Sequence, residues 1–232
     1  MGWPIVPKHY IRFLLKISAC WALLYLGAHP TWKKRAIDEY TALVLKYTDT
    51  SSSEPLHKRL STIPLDAWEN ELPSVELIIR ETIRLTLSFA ALRRNVEKEL
   101  EIDAVVIKRR DFLLYSLGRT HMDPEIYTEP TKFDPDRYLE GREEDRKQTY
   151  GYVGWGAGNY PNTLRRGPLF LSSNLGRHAC VGVKMAKLEM KLVLALILLG
   201  CEYELVDGSG KYPASFPQPN RNDIQQVGPV SF

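Results

Sequence analysis

The stretch Gly176-Arg177-His178-Ala179-Cys180-Val181-Gly182, running directly into Val183-Lys184-Met185-Ala186-Lys187-Leu188-Glu189-Met190-Lys191, decides how this chain folds. From residue 182 onward, Lys184, Lys187 and Lys191 alternate with a wide apolar face of Val183, Ala186, Leu188, Met190, Leu192, Val193, Leu196 and Ile197. That spacing predicts a helix over 182–199, stopped by Gly200. Cys180 therefore sits immediately before a helix N-terminus. Such an end presents unpaired N–H groups and the positive end of the macrodipole, which favours thiolate over thiol and makes the sulfur a candidate metal ligand. The flanking glycines would let backbone approach a flat macrocycle, and Arg177 and His178 would offer positive charge to its carboxylates. The ordinary alternative for a single cysteine before a helix is a buried apolar thiol. Cys201, on a segment without basic neighbours, illustrates that case.

Working outward, Glu81 and Arg84 stand three apart on a helix predicted to open at Pro73-Ser74 and run through Leu87, with Ser74 as N-cap and Leu77, Ile78, Glu81 and Arg84 facing inward. Taken alone, such a pair is usually a solvated surface pair. Downstream, Phe133-Asp134-Pro135-Asp136-Arg137-Tyr138 places a second arginine where it could dock on the same glutamate. This motif lies in a Pro- and charge-rich segment from His121 to Gln148 without periodicity, which predicts a long surface-hugging coil held by side-chain pins. Between the two motifs, Leu100, Ile102 and Val105 to Ile107 read as a short hairpin, and Phe112 to Tyr115 as a further strand. A short helix is expected near Leu65 to Glu71. Cys201 to Val206 alternates like a strand leading into the turn at Asp207-Gly208.

Residues 31–48 carry Ala36, Tyr40, Leu43, Val44 and Tyr47 at helical spacing before a Ser/Thr-rich loop that ends at Pro55. Nearer the start, Lys8, Arg12 and Lys16 precede 12 uncharged residues, Ile17 to Ala28, in a way that imitates a signal peptide. No small-residue cleavage site follows, and a bilayer span needs about 20 residues. The reading is two core helices divided at Pro30.

With 232 residues, 44% of them hydrophobic and 25% charged, one domain with a sizeable core is the default. A net charge of +3, from 31 basic and 28 acidic residues, argues against a nucleic-acid partner. Three cysteines, Cys20, Cys180 and Cys201, fit a reducing compartment better than a disulfide scaffold.

Together, Glu81-x-x-Arg84, the Phe133 to Tyr138 coil and the Cys180 loop before a long helix resemble, in order, the signature of the cytochrome P450 family. The resemblance runs from about Ser18 to the end and leaves residues 1–17 unmatched. Its nearest flavour is the branch of sterol demethylases and related fungal enzymes. It implies a mainly α fold with small antiparallel β-sheets, an incomplete version of the family architecture. It further implies haem as cofactor and Cys180 as proximal iron ligand. Glu81, Arg84 and Arg137 would form a structural triad supporting the haem-side coil, and Arg94, Arg177 and His178 would meet the cofactor's propionates. The implied reaction inserts one atom of O₂ into a C–H bond of an apolar small-molecule or lipid substrate. Electrons would come from an NADPH-dependent reductase. Full-length relatives would sit at the cytoplasmic face of the endoplasmic reticulum membrane, whereas this chain shows no clear anchor.

Two departures stand out. The family pattern wants Phe or Trp seven residues before the cysteine, where this chain has Ser173. Joining Gly158 of Gly154-Trp155-Gly156-Ala157-Gly158 directly to Arg177 would restore the pattern, so the 18 residues 159–176 read as an insertion. A retained intron is the favoured origin and a genuine surface loop the competing one, since cofactor loops need closely fixed backbone. Genomic codons 158–176 lacking a frame-preserving GT…AG segment would exclude the intron. At the other end, Phe13-Leu14-Leu15-Lys16 stands where the family carries a small-residue and hydroxyl motif beside the oxygen site. Roughly half of the family's chain, with the anchor and most of the substrate pocket, is unmatched, so the expectation is exposed apolar faces and poor folding alone. The alternative to a monooxygenase is accordingly a truncated or mis-spliced product without activity. A helical interaction protein with no haem would require the three ordered motifs to be coincidence.

Overall fold

The frame is set by four helices whose apolar stripes meet. A computed structural model of the chain describes residues 8–49, 53–87, 90–155 and 182–220. Helix α1 (Lys8–Ala28) and helix α2 (Pro30–Tyr47) divide where expected. Pro30 takes the first helical position of α2, where its missing N–H has no cost, and His29 at the break donates its N–H to Leu26 O at 3.2 Å. Trp32, Ala36, Tyr40, Leu43 and Val44 form the buried stripe of α2 at spacings of three and four. Short helices α3 (Leu56–Ser61) and α4 (Leu65–Asn70) follow, then α5 (Pro73–Thr86). Helix α7 (Val183–Gly200) packs against α1, α2 and α5. The shared core holds Leu26, Tyr40, Leu43, Ile78, Ile79, Met190 and Leu194 among others.

The start of α5 differs from expectation. Ser74 does not cap it: the flanking residue is Leu72, and no side-chain cap comes from it. Instead Glu39, projecting from α2, accepts from the backbone N–H groups of Ser74 at 2.8 Å and Val75 at 3.1 Å. A full carboxylate satisfies two orphan donors and complements the helix dipole, which a serine hydroxyl does less well.

After α5, strand β1 (Ala90–Arg94) pairs antiparallel with β4 (Phe112–Ser116), in a register that sets Leu92 against Leu114 and Arg94 against Phe112. Strands β2 (Leu100–Ile102) and β3 (Val105–Ile107) form the anticipated hairpin. Its turn residues, Asp103 and Ala104, both adopt positive φ (47° and 63°), as a two-residue hairpin turn with matching twist requires. The Asn95 side chain ties the two sheets together by donating to the carbonyls of Lys98 (3.0 Å), Ile107 (3.2 Å) and Lys108 (3.2 Å). Helix α6 (Leu117–His121) and two 3₁₀ turns, Pro135–Tyr138 and Glu144–Arg146, punctuate the coil.

Residues 201–206 are extended at Cys201 but, among the described residues, join no ladder. A strand needs a partner, and the chain returning from the Asp207 turn carries Pro213, Pro217 and Pro219, which offer no N–H donors. The fold is thus mainly α with two small antiparallel sheets.

Candidate functional site

Glu81 and Arg84 lie on the inner face of α5, and both are fully buried. Their spacing closes a bidentate pair: Arg84 Nε donates to Glu81 Oε2 and Nη2 to Oε1, each at 2.8 Å. Arg84 then spends its remaining donors on coil carbonyls. Nη1 reaches His121 O at 2.6 Å and Pro130 O at 2.7 Å, and Nη2 reaches Lys132 O at 3.3 Å.

Arg137, presented by the 3₁₀ turn that Pro135 opens, is also fully buried. Its Nε donates to Glu81 Oε1 at 3.0 Å, which completes the expected three-residue cluster. The coil grips the same carboxylate twice more, through Asp134 N–H to Oε1 at 3.0 Å and the Tyr138 hydroxyl to Oε2 at 2.8 Å. Every Glu81 acceptor site is used, as a buried carboxylate demands.

A fourth member was not anticipated. Glu144, 3% exposed, accepts from Arg137 Nη1 at 2.5 Å and from Thr128 N–H at 3.0 Å on one oxygen, and from Arg142 Nη2 at 2.8 Å on the other. In sequence it sits inside the charge run Arg142-Glu143-Glu144-Asp145-Arg146, which reads as a solvated surface. Its signal would have been charge balance: two buried guanidiniums need two carboxylates. Both guanidiniums also approach the Tyr127 ring, Arg84 at 4.7 Å and Arg137 at 5.7 Å from its centroid. Nearby, Arg80 pairs with Asp145 and stacks on Tyr138 (4.7 Å) and Tyr152 (4.4 Å).

The electrostatics follow from this packing. Burial opposes the charge on Arg84, but the hydrogen bonds and field of Glu81 outweigh it and hold the guanidinium above its ordinary pKa. Burial likewise opposes Glu144, and the arginines Arg142 and Arg137 outweigh it, so its carboxyl lies below the usual range. Tyr138 is pushed well up, first by burial and then by the Glu81 charge, and so stays a hydroxyl donor.

The structure therefore brings Glu81, Arg84 and Arg137 together. Cys180, Arg177 and His178, with the interval 159–176, lie outside the described residues. Arg94 is described and exposed at the end of β1. It shares one sheet face with Leu92 (53% exposed), Phe112 (62%) and Leu114 (67%), and its guanidinium lies 5.4 Å from the Phe112 ring centroid. An apolar sheet face with a guanidinium at its rim suits a flat apolar molecule bearing carboxylates. Gly182, at the N-cap of α7, is exposed, and among the described residues nothing crowds it. Among the described residues, no group of three or more His, Cys, Asp or Glu could hold a bare metal ion. No helix among them is long and apolar enough to cross a membrane.

A family model described as cytochrome P450 matches residues 17–160. The cytochrome P450 monooxygenase AacuE of Aspergillus aculeatus is 32% identical over 207 residues, which cover 88% of this chain and 37% of that protein. The cytochrome P450 monooxygenase dmxR5 of Cryptosporiopsis is 32% identical over 182 residues, covering 78% and 32% respectively. A solved structure, retinoic acid bound cyanobacterial CYP120A1, superposes with a TM-score of 0.60 at 21% identity over 88% of this chain and 40% of that one. The likeness to that structure is one of fold. The chain spans about a third of the length of the fungal relatives it matches.

Proposed function

This chain belongs to the cytochrome P450 family, and from that premise we propose that it carries the haem-binding part of a haem-thiolate monooxygenase, with Cys180 as the iron ligand. The observation that carries this reading is the buried Glu81–Arg84–Arg137 cluster, which ties the coil from His121 to Gln148 onto α5 through one carboxylate. A coil without its own ladder gains a fixed path only from such internal pins. In sequence that path continues through Tyr152, Val153 and Trp155, which pack against the buried interior.

In this reading residues 18–232 form one domain, preceded by the stretch 1–17 and interrupted by the insertion 159–176. Trp155 supports the insertion's placement. It packs half-buried against the core, and Lys187 Nζ, in the second turn of α7, lies 5.9 Å from its ring centroid. Trp155 thus stays beside α7.

Arg94, Arg177 and His178 would hold the haem propionates, and the exposed face of Leu92, Phe112 and Leu114 would meet apolar surface. The α7 dipole would keep Cys180 as thiolate. When bound, the thiolate-ligated haem supplies one-electron and O₂ chemistry. The overall reaction would place one atom of O₂ in a C–H bond of an apolar small molecule or lipid and release the other as water, with electrons from an NADPH-dependent reductase and protons from solvent. For the longer relatives the setting would be the cytoplasmic face of the endoplasmic reticulum.

The test is a carbon monoxide difference spectrum of the reduced, haem-supplied chain, beside Cys180→Ala and a variant lacking 159–176. A thiolate-type Soret band that disappears in Cys180→Ala is the expected result. A band seen only after deletion would mark 159–176 as an artefact of the reading frame. No such band in either the chain or the deletion variant would overturn the haem assignment.

A further inference from the structure

Lys191 is an oddity in α7. It is 3% exposed in the middle of a helix whose neighbouring buried positions are Met190, Leu194 and Ala195. A buried ammonium is costly unless its donors are all engaged. Here they are: Nζ lies 2.9 Å from Trp68 O, 3.4 Å from Glu69 O and 3.3 Å from Glu76 Oε2. The first two acceptors are carbonyls at the C-terminal end of α4, where a cation is favoured. The third is a carboxylate in the first turn of α5. Lys191's own carbonyl also accepts from the buried Tyr40 hydroxyl of α2 at 2.9 Å. One residue of α7 is thus gripped by α2, α4 and α5.

Glu76 makes the grip directional. Its other oxygen, Oε1, pairs with Lys187, one turn earlier on α7. Two ammonium groups a turn apart on one carboxylate fix both the rotation of α7 and its position along its axis. A slide of one residue would carry both ammonium groups about 1.5 Å along the axis and away from their present partners. Glu76 also stands on the helix that carries Glu81, so α5 is the common frame for the coil that enters the cysteine loop and the helix that leaves it.

We propose that Lys191, acting through Glu76 and with Lys187, is a positioning residue that sets the register of α7 and thereby the placement of the Cys180 sulfur. The role rests on the haem-thiolate reading above. A lysine serves here because an apolar side chain would pack at this site without fixing where the helix stops.

The full chain supplied with haem tests this, as wild type, Lys191→Met, Lys191→Arg, Glu76→Gln and Lys184→Met. The readouts are the fraction of bound haem giving the thiolate-type Soret band and hydrogen exchange of α7 amides in the haem-free chain. Lys191→Met should still bind haem but lose the thiolate-type fraction several-fold. Lys191→Arg should recover part of it, and Lys184→Met, which alters only the exposed pair with Glu69, should match wild type. If Lys191→Met fails to fold, Glu76→Gln, which leaves Lys191 its two carbonyls, carries the same expectation. A wild-type thiolate fraction in both Lys191→Met and Glu76→Gln would overturn the positioning role while leaving the haem reading intact. Absence of the band in wild type would overturn both, and faster α7 exchange in Lys191→Met would then mark the clamp as structural only.

Discussion

At Glu81, four side-chain donors and one backbone N–H converge on a single buried carboxylate. Its loss strands Arg84 and Arg137, both fully buried, without their shared counter-charge. Glu81→Ala should therefore cost about 3–5 kcal/mol in a denaturant titration, the range for breaking a buried pair from one side. A cost below about 1 kcal/mol, the level of surface pairs, would show that the arginines find other partners. Glu144 and Glu76, both in partly or wholly buried ion pairs, contribute acid sensitivity. Both carboxyls are held below their ordinary values: burial raises them, and the cations beside them, arginines for Glu144 and Lys187 and Lys191 for Glu76, more than reverse it. A depressed folded value means that their contribution is fully present above the unfolded carboxylate pKa of about 4.3 and fades as the pH falls through the lower folded values. Thermal midpoints measured from pH 6 downward should hold level to about pH 5 and drop below about pH 4. In Glu144→Gln that drop should be shallower, from a lower plateau. Of this cluster, the spacing of Glu81 and Arg84 and the motif around Arg137 were legible in the sequence. Glu144 was not, because a charge run gives no sign of which of its members turns inward.

Among the elements, helices were the most legible, since a stripe at 3.6-residue spacing or a proline at a first turn is a local feature. Helix α2 and helix α7 follow that rule. What escaped depends on residues far apart in the chain. The cap of α5 comes from Glu39, 35 residues before Ser74, and no local signal favours it over the serine in place. Strand β1 ends in two arginines and shows no alternation, so only its pairing with β4 reveals it. Residues 201–206 erred in the opposite direction, alternating well but facing a proline-rich return. Glu39→Ala should destabilise the protein by about 1 kcal/mol, the usual worth of an N-cap, and Ser74→Ala by much less. Thermal melts of the two variants decide between them, and equal losses would return the cap to Ser74.

For the molecule as a whole, the charges around Glu81 are paired inside the fold, whereas a patch of apolar surface stays open. The exposed Leu92, Phe112 and Leu114 form a contiguous sheet face that should drive self-association of the haem-free chain. Light scattering should show oligomers that Leu114→Lys reduces, and an equal size distribution in both would exclude this face as the cause. The coil pinned at Glu81 has a further consequence, one of time. Its anchors Asp134, Arg137 and Tyr138 lie 53, 56 and 57 residues from their acceptor, so closing that loop yields nothing until α5 is already in place. During refolding, α5 would be structured at the rate-limiting barrier and the coil would settle afterwards. Truncations at Arg137 should speed unfolding and leave the refolding rate nearly unchanged, whereas those at Ile78 or Ile79 should slow refolding.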